Sequence, residues 1–284
     1  MHTVFSKELH LKIADMLSPV YSKDECDSLA FLLLENIFEL SRTDLLLNTT
    51  IDFSEEKDNS LNLTVNRLLH NEPIQHIFGV ADFYGRKFKV NEHVLVPRQE
   101  TEELIQLIVK DNTLTSTKIL DIGTGSGCIA CSLALEIDNS EVHALDVSHL
   151  ALDTANENSA TLKANVVFTK CDILKEEILQ NAFDIIVSNP PYVLDSEKKQ
   201  MHHNVTDFDP HLALFVSDED PLVFYRVIAE KSKKVLKSGG KLYFEINERF
   251  GSEVSIILLD LEYTDINIHK DLHGKDRFVS GTSN

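Results

Sequence analysis

Asp121-Ile122-Gly123-Thr124-Gly125-Ser126-Gly127-Cys128-Ile129-Ala130 is the stretch that decides how this chain of 284 residues is read. The apolar run before it predicts a buried strand, and the small apolar residues after Gly127 predict a helix. Glycines between the two let the backbone turn sharply and come close to a ligand, beside the N–H groups of a helix N-terminus. A tight turn alone also favours glycine, but three exceed what it requires. The spacing is G-x-G-x-G, which differs from the G-x-G-x-x-G of dinucleotide sites.

Outward from this loop, strands and helices alternate. Strands are expected at 118–122, 141–146, 166–169, 183–188 and 241–246. The clearest helix between them is expected over 221–236, with acids at its start, lysines in its last turn and Gly239-Gly240 after it. Alternation of this kind predicts an α/β fold: a mostly parallel sheet with helices on both faces. The end of the chain differs. Residues 263–268, a turn at His273-Gly274 and residues 277–280 predict two strands joined tightly, hence antiparallel.

Upstream, residues 99–110 predict a helix with Leu104, Ile105 and Ile108 on its apolar face and glutamates in its first turn. Residues 83–90 predict a hairpin around Gly85, followed by a short extended run at Val94-Leu95-Val96 that Pro97-Arg98 interrupts. Residues 1 to about 75 read as helical throughout, with Ser22 and Asp24 placed to cap a helix.

Composition narrows the partners. The chain holds 27 basic and 46 acidic residues, a formal net charge of −19, and apolar residues make up 43% of it. Divided after Arg98, the two parts carry 10 and 17 basic against 15 and 31 acidic residues. Both are therefore acidic, and free polyanions such as DNA or RNA are repelled by the overall field. No stretch has the apolar length of a membrane span, the first residues lack the apolar core of a secretory signal, and four cysteines build no disulfide framework. A cytoplasmic protein is expected.

The remaining chemistry lies at strand ends. Asp146 ends the second predicted strand, where an acid of this architecture accepts hydrogen bonds from ribose hydroxyls. Asp172 sits just past the third, placed to meet an adenine amino group. Ser188-Asn189-Pro190-Pro191-Tyr192 follows the fourth. The two prolines stiffen the backbone and remove N–H donors, leaving carbonyls that only accept. The Asn189 side-chain oxygen and the Pro190 carbonyl together match both hydrogens of a planar NH₂ group. Tyr192 offers a flat face to stack on it.

These motifs resemble those of class I S-adenosylmethionine-dependent amino-methyltransferases. Glu72-Pro73-Ile74-Gln75-His76-Ile77-Phe78-Gly79, Phe83-Tyr84-Gly85 and Val94-Leu95-Val96-Pro97-Arg98-Gln99-Glu100-Thr101-Glu102 are similar, more narrowly, to the release factor glutamine methyltransferase family, the HemK/PrmC proteins. So are the glycine loop and Asp271-Leu272-His273-Gly274-Lys275-Asp276-Arg277-Phe278. The resemblance implies a Rossmann-like seven-stranded methyltransferase domain over 99–284, a hairpin linker over 79–98 and a helical substrate-recognition domain over 1–78. It implies S-adenosyl-L-methionine as cofactor, with Gly123, Thr124, Gly125, Ser126 and Gly127 along its methionine part, Asp146 on the ribose, Asp172 and Ile173 beside the adenine, and Asn189 at its reactive end. Asn189, Pro190, Pro191 and Tyr192 would hold the substrate. That substrate would be the glutamine amide of the Gly-Gly-Gln loop of class 1 peptide chain release factors, met by a monomer that binds no nucleic acid directly. Two places depart from the family pattern: Gln99 stands where a second proline is usual, and Asn247-Glu248-Arg249-Phe250 replaces the usual Gly and Gln.

Other readings stay open on the residues alone. The same tetrapeptide geometry serves an exocyclic amino group of adenine or guanine, at odds with a net charge of −19 and no basic groove. A non-catalytic binding module would not need Asn189, Pro190 and Tyr192. Cys128 and Cys131 have the spacing of a redox pair, yet small residues there usually pack on the sheet. His202, His203, Asp207, Asp209 and His211 cluster without the spacing of a metal site. Lys231, Lys233, Lys234 and Lys237 are expected to be solvated near a helix C-terminus.

Overall fold

The computed structural model describes residues 2–112, 116–179, 182–200 and 206–284. Two units are distinct, one built on Met1–Gly79 and the other on Val80–His202 and Asp209–Asn284.

The first unit runs β1 (His2–Phe5), α1 (Ser6–Leu17), α2 (Lys23–Phe38), α3 (Arg42–Leu47), β2 (Thr50–Phe53), α4 (Glu55–Leu69) and α5 (Ile74–Phe78). Leu9, Ile13 and Leu17 fall one turn apart on α1 and meet Leu33 and Leu34 of α2 and Leu61, Val65 and Leu68 of α4 in one core. Each such aliphatic side chain contributes about 1.5–3 kcal/mol by leaving water. At the start of α2 the Ser22 N–H donates to the Glu25 carboxylate at 3.0 Å, half of a capping box. The expectation of an all-helical segment is corrected here: β1 and β2 pair antiparallel, with His2 opposite Phe53 and Phe5 opposite Thr50. Four-residue strands are too short for alternation to stand out in sequence, although Ile51 and Phe53 do turn inward while Thr50 and Asp52 face out.

The second unit opens with a hairpin of β3 (Val80–Phe83) and β4 (Arg86–Lys89), followed by α6 (Gln99–Asp111). Between them, Val94-Leu95-Val96 forms no strand. Val94 and Val96 are buried against Ala81, Val90 and Ala151 instead, and the Val96 N–H faces the Asp209 carboxylate at 3.5 Å rather than a neighbouring strand. Next come β5 (Lys118–Ile122), α7 (Cys128–Glu136), β6 (Glu141–Asp146), α8 (His149–Leu162), β7 (Val166–Lys170), β8 (Phe183–Ser188), a short pair of β9 (Val193–Leu194) and β10 (Phe215–Val216), and β11 (Leu236–Glu245). β12 (Tyr263–Lys270) and β13 (Asp276–Ser283) complete the sheet.

Seven of these strands lie in the order β12-β13-β11-β8-β5-β6-β7. All run parallel except β13, which pairs antiparallel with both β11 and β12. Alternating side chains serve the two faces. Ile119, Ile185 and Tyr243 join Leu104, Ile105 and Ile108 of α6 and the small residues of α7. Leu120, Ile186 and Phe244 join Tyr225, Ile228 and Ala229 of the helix Val223–Val235 and Val254 and Leu258 of the helix Gly251–Asp260. β11 begins earlier than the sequence suggests. Its pairing with β8 shifts register between Leu236 and Lys241, where Gly239 takes a φ of 78°. The glycine pair thus forms an irregularity inside the strand rather than a helix stop.

Candidate active site

Winding of the chain reverses between β5 and β8. From β5 it proceeds outward through β6 and β7, then returns to place β8 on the other side. A crevice opens at the carboxyl ends of strands at such a switch point. In this sheet Ile122 of β5 stands opposite Ser188 of β8, and the Ser188 hydroxyl donates to the Ile122 carbonyl at 2.7 Å. The glycine loop and Asn189 therefore leave the sheet side by side.

The three glycines divide their work. All have positive φ, 79° at Gly123, 54° at Gly125 and 78° at Gly127, a region that L side chains rarely adopt. A Cβ on Gly123 or Gly125 would point into open space, whereas one on Gly127 would lie 3.1 Å from the Ala155 Cβ of α8. The first two leave a bare floor for a ligand, and the third lets α7 pack on α8. Thr124 and Ser126 lie between them on the cavity wall. Beneath the loop the fully buried Asp121 accepts a hydrogen bond from the Thr124 hydroxyl at 2.6 Å. Burial pushes the Asp121 carboxyl up to about 7, against the pull of that bond.

Asp146 closes the next strand end. Its Oδ2 accepts the Gly125 N–H and its Oδ1 the Ser148 N–H, both at 2.9 Å. Each oxygen keeps a further lone pair for a donor from the cavity. Burial raises its pKa, and the backbone donors oppose this. Past β7, Asp172 accepts the Leu174 N–H at 3.1 Å and pairs with Lys175 at 2.8 Å, and its pKa is lowered, chiefly by that lysine. Ile173 is buried beside it on the cavity wall. This loop is pinned from behind. Lys231, 9% exposed, donates to the carbonyls of Ile173 at 2.8 Å and Glu176 at 2.6 Å. The expectation that Lys231 is solvated is thereby corrected. Its stem lies on the buried face of its helix, and two carbonyls replace water around the ammonium. Lys237 pairs with Asp184 at 2.7 Å and Lys233 reaches the Glu262 carbonyl at 2.9 Å, so neither is merely solvated.

On the β8 side, Asn189 lines the cavity with Pro190 and Pro191. The Asn189 Nδ2 donates to the Thr101 hydroxyl at 3.5 Å, which leaves Oδ1 as its remaining acceptor. Thr101 in turn donates to Glu245 Oε2 at 2.7 Å, and the Tyr192 hydroxyl donates to Oε1 of the same carboxylate at 3.2 Å. Tyr192 packs against the core under the sheet and is absent from the cavity wall. Its pKa is raised, first by burial and then by the charge of Glu245. Asn247, at one departure from the family pattern, donates to the Tyr192 carbonyl at 3.3 Å. Gln99, at the other, opens α6.

The cavity these elements enclose measures about 350 Å³. It gathers Gly123, Thr124, Gly125, Ser126, Asp146, Asp172, Ile173, Asn189, Pro190 and Pro191, and it does not include Gly127 or Tyr192. Thr101, Val96, Phe224 and Ile228 also line it, although none of them was given a role at the site from the sequence. No spacing rule links such scattered positions. The one trace of Glu245 in the sequence is an acid inside the apolar run Leu242-Tyr243-Phe244-Glu245-Ile246. A glycine floor, apolar walls and carboxylates at successive strand ends match a nucleoside that carries a charged tail.

Among the described residues no group of His, Cys, Asp and Glu has the arrangement of a metal site. His202 and His203 lie outside the described residues. Asp209 is paired with Arg98 at 2.8 Å, and the His211 ring packs edge-on against Phe215. Cys128 and Cys131 are free and buried, and burial pushes both thiols up to about 12, which removes the thiolate that redox exchange needs. No helix among the described residues is long and apolar enough to cross a membrane.

Comparison with known proteins places these features in a family. Residues 12–79 match the model of the PrmC N-terminal domain, and residues 99–208 that of the methyltransferase small domain. A methyltransferase from Pyrococcus furiosus superposes with a TM-score of 0.53 at 19% identity, covering 77% of this chain and 97% of that one, a likeness of fold alone. The release factor glutamine methyltransferase of Flavobacterium psychrophilum is 42% identical over 96% of this chain and 97% of its own. That of Bacteroides thetaiotaomicron is 44% identical over 94% and 96%. With both family models matched in order along its length, the chain belongs to the release factor glutamine methyltransferase family.

Proposed function

We propose that this enzyme transfers a methyl group from S-adenosyl-L-methionine to the side-chain amide nitrogen of the glutamine in the Gly-Gly-Gln loop of class 1 peptide chain release factors. The observation that carries this reading is the Ile122–Ser188 register, which sets the glycine loop and Asn189-Pro190 on one cavity. The cofactor supplies an electrophilic methyl on a sulfonium sulfur. Gly123 and Gly125 admit its amino-acid part close to the backbone, the Asp146 carboxylate accepts from the ribose hydroxyls, and Asp172 and Ile173 flank the adenine.

Asn189 Oδ1 and the Pro190 carbonyl accept the two hydrogens of the glutamine NH₂. This localises the nitrogen lone pair and aims it along the line of displacement, with Pro191 fixing the loop. The work is positioning and polar stabilisation. No strong base would be required: the displacement would release S-adenosylhomocysteine, and the methylated amide nitrogen, then strongly acidic, would give its extra proton to water. Tyr192 acts from beneath, through its hydroxyl on Glu245.

The unit built on Met1–Gly79 serves substrate recognition, and the protein acts as a cytoplasmic monomer. Methylation of a base amino group is the weaker reading, because a net charge of −19 repels nucleic acid. Mass spectrometry of a purified release factor after incubation with the enzyme and S-adenosyl-L-methionine tests the proposal. One added methyl on the Gly-Gly-Gln glutamine is expected. An unmodified glutamine, with cofactor binding shown in parallel, would overturn it.

A further inference from the structure

An asparagine amide can turn end for end at almost no cost in shape, yet only one of the two orientations accepts hydrogen bonds from a substrate NH₂. Something must choose between them. Three side chains behind Asn189 form a line of fixed polarity. Glu245 is 1% exposed and takes two hydroxyl donors, Tyr192 on Oε1 at 3.2 Å and Thr101 on Oε2 at 2.7 Å. A carboxylate has no proton to give, so both hydroxyls must point their hydrogens at it. Thr101 then presents only lone pairs to its other neighbour. That neighbour is the Asn189 Nδ2, at a long 3.5 Å, the kind of separation that tightens when substrate seats.

Burial raises the Glu245 pKa, and the two hydroxyl donors, Thr101 first and then Tyr192, oppose that rise by bonding to its ionised form. Arg277 lies close enough to favour its ionised form, Glu100 opposes, and Arg277 is itself held by Asp271 at 3.2 Å. Thr101 lies on α6, Asn189 follows β8 and Glu245 ends β11, 56 to 144 positions apart in sequence, and they converge only through the sheet.

We infer that Glu245 and Thr101 are positioning residues that fix the Asn189 amide with Nδ2 inward, so that Oδ1 is the atom offered to a planar NH₂ group of the substrate. The inference rests on the proposed amide methylation for its kinetic consequences, but the orientation itself does not.

Three substitutions distinguish polarity from packing. Glu245→Gln keeps the shape and supplies an NH₂ in place of an acceptor. When that NH₂ faces Thr101, the Thr101 hydroxyl donates to Asn189 and the amide turns over, setting a donor against the donors of the substrate. Turnover is expected to fall by about 100-fold, comparable with losing one preorganised polar group at a reaction centre. The affinity for S-adenosylhomocysteine should stay within about 3-fold, since the glycine loop, Asp146 and Asp172 are left unchanged. Thr101→Val removes the hydroxyl and keeps the shape, and kcat is expected to fall about 10-fold with little change in KM. Thr101→Ser restores the hydroxyl and should recover most of that loss. If the serine variant is as slow as the valine variant, or Thr101→Val turns over at the wild-type rate, the inference fails.

A second readout needs no substrate. In ¹⁵N-labelled protein, the side-chain NH₂ resonances of Asn189 are expected to move in Thr101→Val and Glu245→Gln and to return in Thr101→Ser. Unmoved Asn189 resonances in the valine and glutamine variants would overturn the orientation, whatever the enzyme methylates. Conversely, shifted resonances in an enzyme that leaves release factors unmodified would sink the proposed function and keep the relay.

Discussion

Replacing Asp146 by asparagine should damage cofactor binding far more than chemistry. The two carboxylate oxygens divide the local donors evenly, Oδ2 taking the Gly125 N–H and Oδ1 the Ser148 N–H, each at 2.9 Å. An asparagine offers one oxygen, so whichever way it turns, one of these N–H groups meets an NH₂. An unpaired donor in a half-buried site costs about 1–3 kcal/mol. Midway in that range, about 2 kcal/mol, the melting temperature of a domain this size drops by about 4–8 °C. Binding suffers separately. The ribose hydroxyls lose a charged acceptor, and one hydrogen bond to a charged group contributes about 1.5–3 kcal/mol. At about 1.4 kcal/mol per decade, the dissociation constant rises between about 10-fold and about 150-fold. Turnover at saturating cofactor should change little, because Asp146 ends β6 while Asn189 follows β8, two strands away across the sheet. Calorimetric titration with S-adenosylhomocysteine, alongside a thermal melt, measures both quantities. A dissociation constant within 3-fold of wild type would refute the assignment of Asp146 to the ribose.

Other perturbations read other parts of the account. Gly127→Ala sets a methyl 3.1 Å from the Ala155 Cβ in a backbone region hostile to side chains, so it should destabilise the fold by about 1–3 kcal/mol in urea unfolding. Unchanged stability would refute the close approach of α7 and α8. Lys231→Met keeps the stem but loses both carbonyl contacts behind Ile173, and cofactor affinity should fall about 10-fold with kcat retained. Equal affinity would show that the loop stands without its pin. Asp121 gives a pH test. Its folded pKa of about 7 lies above the ordinary 3.8, so the folded state holds the proton more tightly. Its contribution is full below about pH 4 and is lost as pH rises to about 7, on the order of 4 kcal/mol. Asp121→Asn should flatten this part of the stability profile, and parallel melting curves for the two proteins between pH 5 and pH 8 would contradict it.

Much of the fold was legible because its signals are local. The strands Lys118–Ile122, Glu141–Asp146 and Phe183–Ser188 match the sequence expectation to the residue, since each is a dense apolar run bounded by turn or ligand residues. β1 and β2 were hidden by their length, and the extended run Val94-Leu95-Val96 has strand-like side chains because burial alone selects the same residues. The glycine loop, Asp146 and Asn189 stand at fixed offsets from strand ends, which sequence displays. Thr101, Glu245 and Lys231 do not. Their roles depend on sheet register and helix docking over long separations, and an acid or a lysine at such a place reads as ordinary until its partners are known.

A crystal structure of the enzyme with S-adenosylhomocysteine and a peptide containing Gly-Gly-Gln tests the central claim most directly. The glutamine amide is expected between Asn189 Oδ1 and the Pro190 carbonyl, with the adenosine over Gly123 and Gly125 and its ribose on Asp146. A glutamine seated elsewhere, or an adenosine away from the Asp146 carboxylate, would contradict the account.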